Sequence, residues 1–148
     1  MSLNRPFASR PVLAAAGLLA GLPAAPAHAP AVIQTTVQNA SPRAVIRVSS
    51  SAGTAHETAP AARINVGGSD RYTITARDAG ALQGSATYAS ADDRYQCRFV
   101  YAVTPRGADR WGFEHSGTSV GPGPVNCRVT MQSSDAQAGT QSLVLTIR

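Results

Sequence analysis

Gly117-Thr118-Ser119-Val120-Gly121 has the spacing of a nucleophile elbow, in which a serine stands exposed on a strained strand-to-helix turn, and His115 lies close by in sequence. That chemistry needs a helix to leave the turn. Pro122-Gly123-Pro124 follows at once, and proline inside a helix both removes a donor and clashes with the preceding turn. A glycine-rich connection between two strands is the better account. Paired carboxylates are equally poorly served: Glu57 and Glu114 are the only glutamates, and nothing in the sequence sets Glu114 across a cleft from Asp109 or Asp135. No phosphate loop, dinucleotide fingerprint or HExxH metal motif is present. The expectation is a protein without enzymatic activity and without a cofactor.

The most site-like segment runs from Pro105 to Asn126. Trp111, Phe113 and His115 alternate there, with Arg106 and Arg110 nearby. In a hairpin the three rings share a face. That face either packs on the core, as aromatic residues at period two usually do, or forms an exposed aromatic–arginine surface of the kind enriched at binding hot spots. Arg106, Arg110, Trp111, Phe113 and His115 are therefore the candidate binding residues. A related pattern recurs in Asp70-Arg71-Tyr72, Asp93-Arg94-Tyr95 and Asp109-Arg110-Trp111. The reading favoured for these triplets is that aspartate closes a turn, arginine faces water and the aromatic ring begins a buried face.

These residues need a scaffold, and the chain supplies about 120 residues of one after an apparent export leader. Residues 1–11 carry Arg5 and Arg10 and no acid, Val12 to Leu22 is apolar, and small residues and prolines follow. The apolar run is too short to span a bilayer. A signal peptide over residues 1–27 is expected, with cleavage between 27 and 31, leaving 32–148 as a single exported domain, periplasmic or secreted. Cys97 and Cys127 are the only cysteines, and in an exported chain they read as one disulfide. Closing a loop of about 30 residues contributes roughly 3–4 kcal/mol.

From residue 32 the apolar period is two. Ile33, Thr35 and Val37 alternate with Gln34, Thr36 and Gln38; Ala44, Ile46 and Val48 alternate with Val45 and Arg47; and Tyr72, Ile74 and Ala76 alternate with arginines and threonines. Tyr95, Cys97, Phe99, Tyr101 and Val103 form the clearest run, followed by Cys127, Val129 and Met131 and by Leu143, Leu145 and Ile147. Such alternation means one face buried and one face wet. Turns punctuate the runs at Asn39-Ala40-Ser41-Pro42, Gly67-Gly68-Ser69-Asp70 and Pro105-Arg106-Gly107. About eight short strands separated by turns of irregular length predict an all-β fold, an antiparallel β-sandwich with one disulfide.

All thirteen basic residues are arginine. Loss of the leader leaves eleven arginines against eight acids, a net +3 spread from Arg43 to Arg148. Scattered charge fits weak association with anionic surfaces and argues against a nucleic-acid groove, which needs a clustered basic patch. Ile64-Asn65-Val66-Gly67-Gly68-Ser69 followed by Gly84-Ser85-Ala86-Thr87-Tyr88 resembles aegerolysin-like β-sandwich proteins, some of which bind membrane lipids. The likeness consists of turn and strand residues over a minor part of the chain and carries over no site residue. An export leader and a late cysteine pair depart from that family.

The reading that follows is an exported binding or interaction module for a protein, a glycan or an anionic envelope surface, including an inhibitor of a secreted enzyme. The alternative is a periplasmic copper protein. Cleavage after Ala27 would give His28 a free α-amine beside its imidazole, two nitrogen donors suited to copper(II). His56 or His115 would supply a third, and His115 is preferred. Copper carriers and copper-dependent polysaccharide oxygenases are similar in that one terminal residue and in no internal motif.

Overall fold

A computed structural model describes residues 29–52, 55–78, 80–107 and 110–148. The expected leader and His28 lie outside the described residues. Ten strands follow in order: β1 Val32–Asn39, β2 Val45–Ser51, β3 His56–Glu57, β4 Arg63–Ile64, β5 Ser69–Thr75, β6 Leu82–Ser90, β7 Gln96–Pro105, β8 Trp111–Ser119, β9 Cys127–Asp135 and β10 Thr140–Ile147. They form two five-stranded sheets, β3-β5-β1-β10-β9 and β4-β2-β6-β7-β8. The all-β sandwich read from the alternation is present. Among the described residues no helix is long and apolar enough to cross a membrane.

Every paired run of the two sheets is antiparallel except one. β1 and β10 run parallel in the middle of the first sheet, Val32 opposite Thr140 through Asn39 opposite Ile147. Alternation reports which face of a strand is buried, and it is blind to direction, so this pairing had no signature. Ile33, Val37, Ile74, Leu143 and Leu145 face inward from the first sheet; Leu82, Ala86, Tyr88, Phe99 and Val103 meet them from the second. Tyr88 and Phe99 pack edge to face at 6.3 Å between centroids.

The disulfide joins Cys97 of β7 to Cys127 of β9, and so ties one sheet to the other. Beside it the backbones approach closely: a Cβ at Gly117 would lie 2.5 Å from the Cys127 carbonyl oxygen. On the opposite margin Arg47 stands across from Tyr88 and Glu57 across from Ile74, and their ion pair at 2.7 Å bridges the sheets.

Behind that ion pair the core is polar. Tyr72, Tyr88 and Tyr101 are buried with their hydroxyls close to one another and to Thr35, none of them in a well-aligned hydrogen bond. Burial raises all three phenols, Tyr88 to about 12 and Tyr72 and Tyr101 further.

Candidate functional site

The segment singled out by its aromatic residues becomes strand β8 and its flanking connections. Trp111 is 3% exposed and belongs to the core, its backbone N–H donating to the Ala136 carbonyl at 2.8 Å. Phe113 packs half-buried against the same core, and His115 follows on the same inward face with its Nδ1 enclosed. Arg106 lies outside, crossing Gly112 to pair with Glu114 at 2.8 Å. Both partners are well exposed, so that pair contributes little to stability. Arg110 is exposed at the start of the strand. The rings and the arginines are thus set on opposite sides of β8 and do not converge. Of the copper ligands considered, only His115 has a described side chain, and it points inward. Ser119 ends β8 and runs into bends at 121–123 with no helix, so the elbow geometry is not formed.

A different set of residues converges at the end of the sandwich marked by Asn39. Three connections meet there: 40–44 between β1 and β2, 65–68 between β4 and β5, and 91–95 between β6 and β7. Asn39 holds the first two together. Its Nδ2 donates to the carbonyls of Arg43 at 2.7 Å, Ile64 at 3.1 Å and Asn65 at 3.1 Å. Its Oδ1 accepts from the Ser41 N–H at 3.2 Å and the Ser41 hydroxyl at 2.6 Å. Its backbone exchanges bonds with Gly67 and Gly68 at 2.8 and 3.0 Å. A buried carboxamide satisfied this fully fixes the loops in one arrangement.

The β4–β5 turn closes through the Gly68 N–H to the Asn65 carbonyl at 2.9 Å, with Gly67 at φ 71° in third position. That positive φ makes it a type II turn and requires glycine. Val66 then occupies the second position, at the apex, and is 58% exposed. Arg63 flanks it, its Nε donating to Asn65 Oδ1 at 3.3 Å, and it makes no ion pair among the described residues.

Arg43 approaches from the facing loop. Its guanidinium carbon lies 5.8 Å from the centroid of the Tyr95 ring, and it pairs with Asp92. Asp92 is itself held: the Ser90 hydroxyl donates to it at 2.7 Å, and the same hydroxyl accepts the Tyr95 N–H at 3.0 Å. The Ser90 hydrogen bond, with the Arg94 N–H and the Arg43 guanidinium, holds the Asp92 carboxyl below its ordinary range.

Arg43, Arg63, Asn65, Val66, Ala91 and Asp92 line an open cleft of about 630 Å3 between these loops. Among the described residues that line it, the one carboxylate is that of Asp92, which is engaged by Arg43 and Ser90. The cleft can hold an anionic group on guanidinium donors while presenting an apolar tip beside it. Val120, 47% exposed, lies at the same end of the sandwich, where its N–H donates to the Gln96 carbonyl.

The sequence showed these loops only as turns. Arg43 and Asp92 are 49 residues apart, and nothing local to either predicts the pairing. The triplet Asp93-Arg94-Tyr95 pointed to this end without identifying Arg43 as the cation over its ring.

No protein-family model matches the chain, and no curated protein matches it. Among solved structures it is similar to the lipid binding protein Nakanori, with a TM-score of 0.59 and 11% sequence identity over 79% of this chain and 70% of that one. At that identity the likeness establishes a shared β-sandwich fold.

Proposed function

We propose that the chain is a non-enzymatic binding module that docks reversibly on an anionic envelope surface through the cleft at the Asn39 end. The observation that carries this reading is Val66, raised 58% exposed on the apex of a rigid turn beside the guanidinium of Arg63, which makes no ion pair among the described residues. An exposed apolar tip with cationic flanks suits the interface between headgroups and acyl chains, where apolar area and electrostatic attraction add. Sharing a fold with a protein described as lipid binding supports the same direction. The disulfide fits an oxidising compartment outside the cytosol, where such a surface is met.

The energies are small. Each arginine near an anionic leaflet contributes about 1 kcal/mol, so Arg63 in the cleft and Arg94, exposed on the 91–95 connection outside the cleft lining, supply roughly 2 kcal/mol together. Burying the remaining exposed part of Val66 adds about 1 kcal/mol. A total of about 3 kcal/mol gives weak, salt-sensitive docking.

Co-sedimentation with phosphatidylglycerol–phosphatidylcholine vesicles tests it. Binding should exceed that to pure phosphatidylcholine, fall with added salt, and fall again in Val66→Ser and Arg63→Gln. Equal binding to both vesicle types, or none to either, would remove the reading.

A further inference from the structure

A second groove crosses the outer face of the first sheet, about 17 Å along β1 from Asn39. Its volume is about 410 Å3, and it spans strands β5, β1, β10 and β9, with Thr58 at the margin beside β3. The register explains its lining. Thr73, Gln34 and Ser142 lie side by side in one row, and Arg71 and Thr36 are paired in the next. Thr35, Tyr72 and Leu143 form part of the floor, but their side chains are buried in the core, so they offer the groove backbone alone.

Three side chains stand out from this floor. Ser142 donates its hydroxyl to Gln34 Oε1 at 3.2 Å, which leaves the Gln34 amide N–H groups as outward donors. Gln132 is the extra residue of a β-bulge, because pairing passes from Met131 opposite Leu143 directly to Ser133 opposite Ser142. A bulge re-aims the side chain it carries, and Gln132 lines the groove from the edge strand. Arg71 is the one charged residue in the lining, and it makes no ion pair among the described residues.

We propose that this groove binds an acidic saccharide, a chain of polyhydroxylated rings carrying a carboxylate. Arg71 presents a planar fork of donors that matches a carboxylate in two-point contact. The carboxamides of Gln34 and Gln132 both donate and accept, as do the hydroxyls of Thr36 and Thr73, and a run of sugar hydroxyls requires both; the Thr58 hydroxyl is engaged by the Thr73 backbone. An extended peptide suits the site less well. The face of a sheet offers no unpaired backbone groups for strand addition, and the lining has no apolar pockets for alternate side chains. This site is independent of the cleft at the Asn39 end.

The test is a titration of the oxidised protein with a galacturonic acid oligosaccharide, followed by NMR or calorimetry. A galactose oligosaccharide of equal length, inorganic phosphate and an oligoglutamate peptide are titrated in parallel. Saturable binding of the uronate is expected, at least about tenfold tighter than the neutral sugar. Arg71→Gln should weaken it by a similar factor, Gln132→Ala should weaken it severalfold, and Arg63→Gln should leave it unchanged. Gln132 is exposed on an edge strand, so its variant reads the site without disturbing the core. The proposal is overturned if the uronate does not saturate, if the neutral sugar, phosphate or peptide binds as tightly, or if Arg71→Gln and Gln132→Ala both bind undiminished.

Discussion

The three buried tyrosines make stability fall steeply in alkali. The chain has no lysine and both cysteines are in the disulfide, so the side chains with ordinary pKa values between about 9 and 12 are tyrosines. Tyr72, Tyr88 and Tyr101 are raised in the folded state, chiefly by burial; neighbouring tyrosines and Glu57 add to the rise at Tyr72 and Tyr101, while Tyr72 and Arg47 partly oppose it at Tyr88. Because the protonated phenol is the form the fold retains, the stability they contribute is fully present below the ordinary tyrosine value of 10. It is lost as the pH climbs from there through the folded values, which begin at about 12 for Tyr88. In that window each phenol is ionised in the unfolded chain and neutral in the folded one. Each therefore contributes a slope of about 1.4 kcal/mol per pH unit, and three together about 4 kcal/mol per unit. From pH 10 to 12 that removes about 8 kcal/mol, so a domain in the lower half of the usual range of roughly 5–15 kcal/mol is unfolded by about pH 12 and a more stable one is left with the remainder. Urea unfolding at pH steps from about 8 to 12, read alongside tyrosinate absorbance, measures both quantities. Tyr72→Phe should remove about a third of the slope and change neutral-pH stability by less than about 1 kcal/mol, since its hydroxyl makes no well-aligned bond. The reasoning fails if stability stays flat to about pH 11 while these phenols ionise near 10 in the folded protein.

Asn39→Ala should cost about 3–4 kcal/mol in urea unfolding, because it removes bonds to three carbonyls and to Ser41 from a buried site. Asn39→Asp should cost at least as much despite its shape, as it sets a carboxylate against those carbonyl oxygens; a loss below about 1 kcal/mol in either would show that the loops do not depend on this residue. Reducing the Cys97–Cys127 bond should lower stability by roughly 3–4 kcal/mol while the sandwich persists in circular dichroism, and an unchanged unfolding midpoint would contradict the cross-sheet staple. Gly84→Ala should cost about 1–3 kcal/mol, since its Cβ would lie 2.5 Å from the Tyr101 ring and 2.6 Å from the Ser51 carbonyl oxygen; a neutral result would mean the two strands can part there.

Alternation located the long strands but not every buried face: in β2 it indicates Ala44, Ile46 and Val48, whereas Val45 is the buried residue and Val48 is 46% exposed, and Met131 of β9 is 42% exposed. Cys97, Phe99, Tyr101 and Val103 face the core of β7 as the alternation indicates, and Trp111, Phe113 and His115 share one face of β8. The sequence left two sides open for that face, and packing selects the inward one for Trp111. β6 was harder to read, because Gly84, Ser85 and Ala86 give little contrast between its faces. β3 and β4, two residues each, have no period to detect. The candidate cleft was invisible for a different reason. Arg43, Asn65 and Asp92 come from three connections and Arg63 from β4, and only the pairing of β2 between β4 and β6 brings them together. Asn39 was read as one residue of a turn; that its amide reaches Ile64 and Asn65, 25 and 26 residues away, is a tertiary fact.

Backbone amide shifts recorded while anionic phospholipid micelles are titrated into the oxidised protein test the docking account most directly. Perturbations should concentrate at residues 43–44, 63–66 and 91–94, with Val66 among the largest, and be absent along 111–115. Shifts centred on Arg106, Arg110 and the β8 strand, with residues 63–66 silent, would contradict it.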